Sequence, residues 1–296
     1  MKILKHLSIF LVFISTSTYS QGRFDKVEIK TTQLSDHTYM LEGAGGNIGV
    51  SIGEDGVFVI DDQFAPLSEK ILAAIKTLSD KPLKFLVNTH YHGDHSGGNE
   101  NMTKAGATII AHDNVKKRLE GEQRDGSYKP KEALPVITFN DKLNITINDE
   151  SVAVFHAANA HTDGDALLYF TQSNVLHTGD TYFNGRYPYI DLNSGGSVDG
   201  YIEAVKRGLM VIDKDTKIIP GHGKVSNEEE YKSFLEMLET LRTNIQKAID
   251  DGKTEDDVKA DTSLTKTYDD LDYGSGFINS ERIRLTFYNS LKASKS

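Results

Sequence analysis

The chain has 296 residues, of which 38% are hydrophobic and 26% are charged, as in ordinary globular proteins and unlike collagens or disordered chains. It carries 33 Lys and Arg against 43 Asp and Glu, and the resulting net charge of −10 disfavours a nucleic-acid partner. It contains no Cys, which excludes disulfide frameworks, thiolate nucleophiles, cysteine zinc sites and iron–sulfur clusters.

Residues 1–20 have the pattern of a secretory signal peptide. Lys2 and Lys5 form a positive start, and the apolar stretch Leu7–Ile14 and a short polar run follow. This stretch is too short to span a bilayer as a permanent anchor. From the signal-peptide pattern we expect cleavage before Gln21 and a periplasmic or secreted protein. No later segment approaches 18 consecutive apolar residues, so the sequence predicts no membrane anchor.

Short runs with strand character alternate with turn residues along the chain. The runs are His37–Leu41, Asn47–Ile52, Val57–Asp61, Phe85–Asn88, Thr108–Ala111, Ile137–Phe139, Leu143–Ile147, Val152–His156, Ala166–Phe170, Val175–Thr178 and Lys217–Pro220. Between the second and third runs, the residues Glu54-Asp55-Gly56 predict a hairpin turn.

Helical spacing of apolar residues predicts helices at Pro66–Leu78, Val198–Val211, Asn227–Ala248 and Ser280–Leu291. Asn227 is the predicted N-cap of the third helix, and the acidic stretch Asp250–Asp272 is expected to be a solvated connection. The order of the elements predicts an α/β chain with one domain over residues 21–296, in which helices cover two packed sheets. Its two halves are expected at residues 23–135 and 136–292.

The strongest signal for function is the segment Thr89–His95, which has the pattern H-x-H-x-D-H and follows a predicted strand. Residues i and i+2 of an extended backbone point the same way, so His90 and His92 can converge on one metal ion. The glycine that follows allows a sharp turn, which would direct Asp94 and His95 elsewhere. The pattern therefore favours two adjacent metal ions over one four-coordinate site.

Three further candidate ligands, His161, Asp180 and His222, each follow a predicted strand and lie close to glycine in the sequence. Glycine lets the backbone bend so that a side chain can reach a shared centre. Because sites in α/β sheets gather at strand ends, we expect five histidines and two aspartates to meet at one place.

Together these residues resemble the metallo-β-lactamase superfamily, and the resemblance covers nearly all of the chain after residue 20. It implies an αββα sandwich, with two mixed sheets flanked by helices, and a dinuclear metal site. It implies that His90, His92 and His161 bind one metal, that Asp94, His95 and His222 bind the other, that Asp180 bridges them, and that Asp61 orients ligands.

The bridging Asp180 resembles that of glyoxalase II, of lactonases and of other non-lactamase members, and the lactamases with a Cys ligand are excluded. The resemblance implies a secreted dinuclear zinc hydrolase. It would use a metal-held hydroxide to cleave a small ester, thioester, lactone or amide, and β-lactams stay open as substrates. The Gly-x-Ser-x-Gly elbow of serine hydrolases is absent from the sequence.

Imidazoles and carboxylates suit zinc, although iron and manganese accept the same ligands. Two divalent ions outweigh the charges of the two aspartates and a hydroxide, so we expect a net-positive cavity that attracts an anionic small molecule. Asp94 is expected to accept a proton from the nucleophile. Tyr182 and Arg186, in the loop after Asp180, are candidates for substrate contact, weighed evenly against a packed surface loop.

Two other functions are weighed against hydrolysis. A sulfur dioxygenase of the same fold would use a single iron, whereas the full set of seven ligands argues for two ions. A non-catalytic binding protein would have lost ligands, and none is missing. Of the other histidines, His37 and His112 are expected at the surface or at helix caps, and His156 and His177 are expected to be structural.

Overall fold

The computed structural model describes residues 22–123 and 125–293, which form two mixed β-sheets packed face to face. The first sheet has seven strands in chain order, and its first four strands pair antiparallel while the later ones pair parallel. The strands are β1 (Lys30–Gln33), β2 (Thr38–Glu42), β3 (Ile48–Gly53), β4 (Gly56–Ile60), β5 (Leu83–Val87), β6 (Thr108–His112) and β7 (Ile137–Phe139).

The second sheet has five strands in the order β12-β11-β10-β9-β8 among the described residues. All neighbours pair antiparallel except β11 and β12, which are parallel. The strands are β8 (Lys142–Ile147), β9 (Glu150–Ala157), β10 (Asp165–Phe170), β11 (Val175–His177) and β12 (Lys217–Ile219). The predicted signal peptide, residues 1–20, and Gln21 lie outside the described residues.

Helices cover the outer face of each sheet. They are α1 (Ser68–Leu78), α2 (Gly93–Ser96), α3 (Asn99–Lys104), α4 (Asp113–Glu120), α5 (Val198–Val211), α6 (Glu228–Asp250), α7 (Glu255–Ala260), α8 (Lys266–Asp269) and α9 (Ser280–Ala293). Within the described ranges, none of them is both long and apolar enough to cross a membrane. The predicted α/β sandwich of two mixed sheets flanked by helices is confirmed.

Alternation along the strands separates three layers of core. In β4, Phe58 and Ile60 face the second sheet, whereas Val57 and Val59 pack toward α1. Strand β10 repeats the pattern, because Leu168 lies between the sheets and Leu167 packs with α5, α6 and α9. A period of two on both sheets, with apolar residues on both faces, is what a sandwich covered by helices requires.

Two hairpin turns, one from each sheet, are hydrogen-bonded to each other. The predicted turn after β3 is confirmed, since Gly53 pairs with Gly56 across it. Its Asp55 accepts a bond from the Asn148 backbone N–H (2.8 Å), and the Asn148 side chain accepts one from the Asp55 N–H (3.1 Å). This contact fixes the end of the sandwich opposite to the carboxyl ends of β4, β11 and β12.

The structure differs from the predicted elements at three places. Strand β7 pairs with β6, so the first half extends past residue 135 into the segment that was assigned to the second half. The stretch Asp250–Asp272 is mostly exposed, as expected of a solvated connection, but it also contains the unpredicted helices α7 and α8. Thr254 and Asp257 form a capping box at the start of α7, and Val258 anchors this helix by its burial. Strand β1 was not predicted, because its residues Lys30–Gln33 are exposed and carry no apolar alternation.

Candidate metal centre

The predicted ligands lie in loops at one edge of the sandwich, where strands of both sheets end. His90 and the residues up to His95 follow β5, and His161 lies between β9 and β10. Asp180 follows β11, and His222 follows β12, whose parallel pairing brings these two loops side by side. The Tyr201 hydroxyl of α5 donates to the Asp180 carbonyl (2.6 Å) and so holds this loop against the second sheet.

All seven predicted ligands come together in three overlapping groups, and within each group the candidate ligand atoms lie within 4.8 Å of one another. The groups are His90 with His92 and His161, His90 with His95 and Asp180, and Asp94 with His95 and His222. The first and the third groups are the two sets that the family resemblance implied. Two neighbouring ions would therefore each find three side chains.

Asp180 lies between the two sets and directs one carboxylate oxygen to each. Its Oδ2 lies 3.6 Å from His161 Nε2 and 3.9 Å from His90 Nε2. Its Oδ1 lies 3.0 Å from His95 Nε2 and 3.4 Å from His222 Nε2. This is the geometry expected of a carboxylate that bridges two cations.

The cluster is buried at its base and open on one side. His90, His95 and His161 are fully buried, and Asp180 is nearly so. The side chains of His92, Asp94 and His222 are 17%, 29% and 22% exposed, respectively. A substrate would therefore approach over the edge formed by these last three residues.

The base of the cluster is held by Asp61, at the end of β4. Its carboxylate accepts bonds from the Thr89 backbone N–H and hydroxyl, both at 2.7 Å, and pairs with His95 Nδ1 at 2.7 Å. The bond fixes Nε2 as the His95 atom that faces the centre. The orienting role that the resemblance implies for Asp61 would act through this contact.

Two histidines of the first set are oriented by a loop that sequence reasoning missed. The Tyr189 carbonyl lies 2.7 Å from His161 Nδ1, and the Asp191 carboxylate lies 3.0 Å from His92 Nε2. The Tyr91 hydroxyl reinforces Asp191 at 3.2 Å. Consequently His161 faces the centre with Nε2 and His92 with Nδ1, which lie 2.8 Å apart.

Nothing in the sequence distinguishes Asp191 from the many other aspartates in loops, because its partner is 99 residues away. A rule that asks for a carboxylate behind each ligating histidine would have predicted that such a partner exists, without identifying which aspartate it is. Phe183 was also missed, and its ring stacks on the His222 ring at a centroid distance of 5.0 Å. These contacts become visible only when the loops are placed in space.

The glycines of the site are explained by neighbouring atoms that lie where a Cβ would be, and less by a need for unusual backbone angles. A Cβ on Gly46 would lie 2.0 Å from the His95 ring, and one on Gly221 would lie 2.1 Å from Asp180 Oδ1. Gly93 differs from the expectation. It begins the short helix α2, its φ is not positive, and a Cβ there would meet no atom within 4 Å. The turn after His92 therefore comes from the helix and needs no glycine.

The electrostatics of the two sets differ. Burial lowers the pKa of His161 to about 4, against the opposing effect of Asp180. Burial also disfavours a charged His222, but Asp180 and Asp94 outweigh it and raise its pKa to about 9. The same carboxylates, with Asp61, raise the pKa of His95. His161 thus presents a neutral imidazole, whereas His95 and His222 hold protons that a metal must displace.

The residues fit a pair of divalent metal ions. The buried Nε2 of His90 has no hydrogen-bond partner among the described residues, although buried imidazole nitrogens are normally paired. It points into a centre formed by imidazoles and carboxylates, which are the donors that zinc accepts. An ion at this position would satisfy the nitrogen that the protein leaves unpaired.

The expectation that Tyr182 contacts the substrate is wrong. Its side chain is buried, its hydroxyl pairs with the Ser226 hydroxyl at 2.8 Å, and its ring packs on Tyr231 and Phe234. It is part of the core of the second half. Arg186 is half-buried with its side chain against Gly276, and its contact with a substrate stays a prediction.

The other histidines among the described residues lie outside the ligand groups. His112 is the N-cap of α4 and is buried, and its ring stacks on the His156 ring at 3.8 Å. His177 is buried and pairs with the Asn47 carbonyl at 3.2 Å. His37 is exposed on a turn.

A family model described as the metallo-beta-lactamase superfamily matches residues 42–222, the segment that contains all seven predicted ligands. Two of the curated relatives that the chain matches are named as hydroxyacylglutathione hydrolases. The hydroxyacylglutathione hydrolase of Pelagibacter ubique is 29% identical over 162 residues, 50% of this chain and 56% of that protein. The probable hydroxyacylglutathione hydrolase glo2 of Schizosaccharomyces pombe is 26% identical over 209 residues, 67% of this chain and 72% of that protein.

The chain thus spans little more than half the length of the first of these relatives. Among solved structures, a metallo-beta-lactamase from Pontibacter korlensis superposes with a TM-score of 0.62 at 18% identity. The superposition covers 72% of this chain and 99% of that one. At this identity the likeness is one of fold.

Proposed function

The chain belongs to the metallo-beta-lactamase superfamily, and from that premise we propose that it is a dinuclear zinc hydrolase acting on a small ester, thioester, lactone or amide. The single observation that carries the proposal is the position of Asp180 between two sets of three ligands. A mononuclear enzyme has no need for a buried carboxylate with one oxygen directed to each set.

Two divalent ions, when bound, would acidify a water molecule and polarise the carbonyl of the substrate. The protein's own contribution is orientation. Asp61 and Asp191 hold His95 and His92 from behind, on opposite sides of the centre. Buried His90 and His161 exclude water from the base, so electrostatic interactions there are stronger than in solvent.

Asp94 is the residue that we assign to proton transfer. Its carboxylate is more exposed than that of Asp180 and lies 3.4 Å from His222 Nε2, on the open side of the cluster. Burial tends to raise its pKa, but His95 and His222 reverse this and lower it, so Asp94 is ionised at neutral pH. An ionised carboxylate at the opening can take a proton at Oδ from the attacking water.

The proposal is tested by hydrolysis assays of the zinc-loaded protein on thioesters, aryl esters, lactones and β-lactams. The variant His92→Ala removes a ligand, and His37→Ala removes an exposed histidine away from the cluster. We expect turnover of at least one class, a loss of about a hundredfold or more in His92→Ala, and full activity in His37→Ala. No turnover of any substrate by protein that holds two zinc ions would contradict the proposal.

We also propose that the protein is exported, with Gln21 as the mature N-terminus. The support is the charge and hydropathy pattern of residues 1–20. Mass spectrometry of the N-terminal peptide from native cells tests this. Recovery of an intact Met1 form from the cytoplasm would contradict it.

A further inference from the structure

One part of the open edge is not explained by metal binding. It consists of Tyr189, Phe277 and Arg282, which we call the aromatic rim. The Tyr189 ring lies beside two ligands, with centroids 5.9 Å from His92 and 5.6 Å from His161. The Phe277 ring meets the outer side of Tyr189 edge-on at 5.8 Å. The rim thus extends from the metal centre outward to the surface.

Phe277 is held in an exposed position. Its side chain is 72% exposed, although the next residue, Ile278, is only 2% exposed. The segment before it is tied down by the Tyr187 N–H, which donates to the Tyr273 carbonyl at 3.0 Å. An anchored backbone that presents a phenyl ring to solvent beside a candidate active site leaves that ring available to a ligand.

Arg282, in the first turn of α9, supplies a positive charge to the same place. Its guanidinium carbon lies 4.7 Å from the centroid of Phe277 and 5.4 Å from that of Tyr189. In the described part of the chain, no carboxylate lies within ion-pair distance of it.

From this geometry we propose that the aromatic rim binds the non-reacting part of the substrate, and that this part carries an apolar or aromatic group and a carboxylate. The apolar group would pack on the exposed face of Phe277. The carboxylate would pair with the Arg282 guanidinium, whose planar fork matches it. This inference rests on the proposed function and narrows its substrate class to anionic, apolar acyl compounds.

The first test measures binding and does not depend on turnover. 3-Phenylpropionate and its neutral amide, 3-phenylpropanamide, are titrated into the zinc-loaded protein by calorimetry. We expect Arg282→Gln to weaken binding of the acid about tenfold and to leave the amide within about twofold. A carboxylate that binds the metals instead would do so equally in both proteins, so only the change in the acid–amide difference reports on Arg282.

Three further variants sharpen the result. Arg282→Lys keeps the charge and should restore part of the affinity for the acid, and Phe277→Ala should weaken both probes about threefold. Arg242→Gln removes the same charge from a site on α6, where Arg242 pairs with Asp199 at 2.6 Å, and should change neither. Equal losses for acid and amide in Arg282→Gln, or no binding of either probe to the wild-type protein, would overturn the inference.

The second test uses a matched pair of esters, mono-4-nitrophenyl succinate and 4-nitrophenyl butyrate. We expect Arg282→Gln to lower kcat/KM for the anionic ester about tenfold, mainly through KM, and to leave the neutral ester unchanged. An equal effect on both esters would contradict the inference. If the wild-type protein hydrolyses neither ester, the full substrate panel decides the proposed function, and the calorimetric comparison decides the role of Arg282.

Discussion

Asp180 is the residue on which both candidate metal sites depend. Its two oxygens face different sets of ligands, and its charge offsets the repulsion between two cations. We expect Asp180→Asn to lower the affinity for both ions, so that the variant holds less than one zinc per chain under conditions in which the wild-type protein holds two. Elemental analysis after gel filtration measures this. A variant that keeps two ions and normal turnover would rule out the bridging role.

Asp191 and Asp61 should act on different ions, because each contacts one ligand of a different set. We expect Asp191→Asn to weaken the His92 site, and Asp61→Asn to weaken the His95 site, each by about 10–100-fold. Titration of metal-free variants with zinc and a competing chelator resolves the two binding steps. If both variants weaken the same step, the two carboxylates do not serve separate sites.

The pKa directions predict that acid removes the two ions in sequence. His222, with a pKa raised to about 9, and His95, whose pKa is also raised, are protonated at pH 7 in the metal-free protein. Metal binding must release these protons, so the affinity of the Asp94 set falls as pH decreases below 9. His161, with a pKa of about 4, stays neutral at pH 6 and has no proton to release when it binds a metal.

We therefore expect dialysis from pH 9 toward pH 6 to remove one metal ion per chain before the other. The metal content at each pH, measured on the same protein preparation, checks this. Simultaneous loss of both ions in one step below pH 5 would contradict the assignment of the raised pKa values to the His222 side.

At the scale of elements, the loop before β3 limits the space behind the His95 ring. A methyl group on Gly46 would lie 2.0 Å from Cε1 of a ring whose Nδ1 is already held by Asp61. We expect Gly46→Ala to displace His95 and to reduce activity and zinc content at that site at least tenfold. Gly93→Ala is the matched control, because its methyl would meet no atom within 4 Å. Equal effects of the two substitutions would contradict this interpretation of Gly46.

The elements that could be predicted from the sequence are those with a buried face, because burial imposes a regular spacing on their apolar residues. Val57–Ile60 and Val198–Val211 carry a full pattern because both pack into the core, and the structure has them at nearly the predicted bounds. Strand β1 and helix α7 lie at the surface, where propensity and capping decide and the pattern is weak. Tyr182 shows a second limit of prediction from sequence. It lies two residues after the candidate ligand Asp180, yet its side chain folds into the core.

At the scale of the whole molecule, the candidate ligands come from both sheets. The segment His90–His95 follows a strand of the first sheet, whereas Asp180 and His222 follow strands of the second. The ligands could be found from the sequence because they stand in a short motif or directly after predicted strands. Their orienting partners could not, because they have no such local pattern. Asp191 and the aromatic rim join the site only through the packing of residues 189–191 and α9 against it.

Titration of the metal-free protein with zinc tests directly whether the chain is a two-metal hydrolase. Bound metal and the hydrolysis rate are both followed during the titration. We expect the rate on the best substrate of the panel to rise until two zinc ions are bound per chain and then to stay constant. We also expect Asp180→Asn never to reach this plateau. Full activity at one ion per chain, or two bound ions with no hydrolysis of any substrate, would contradict it.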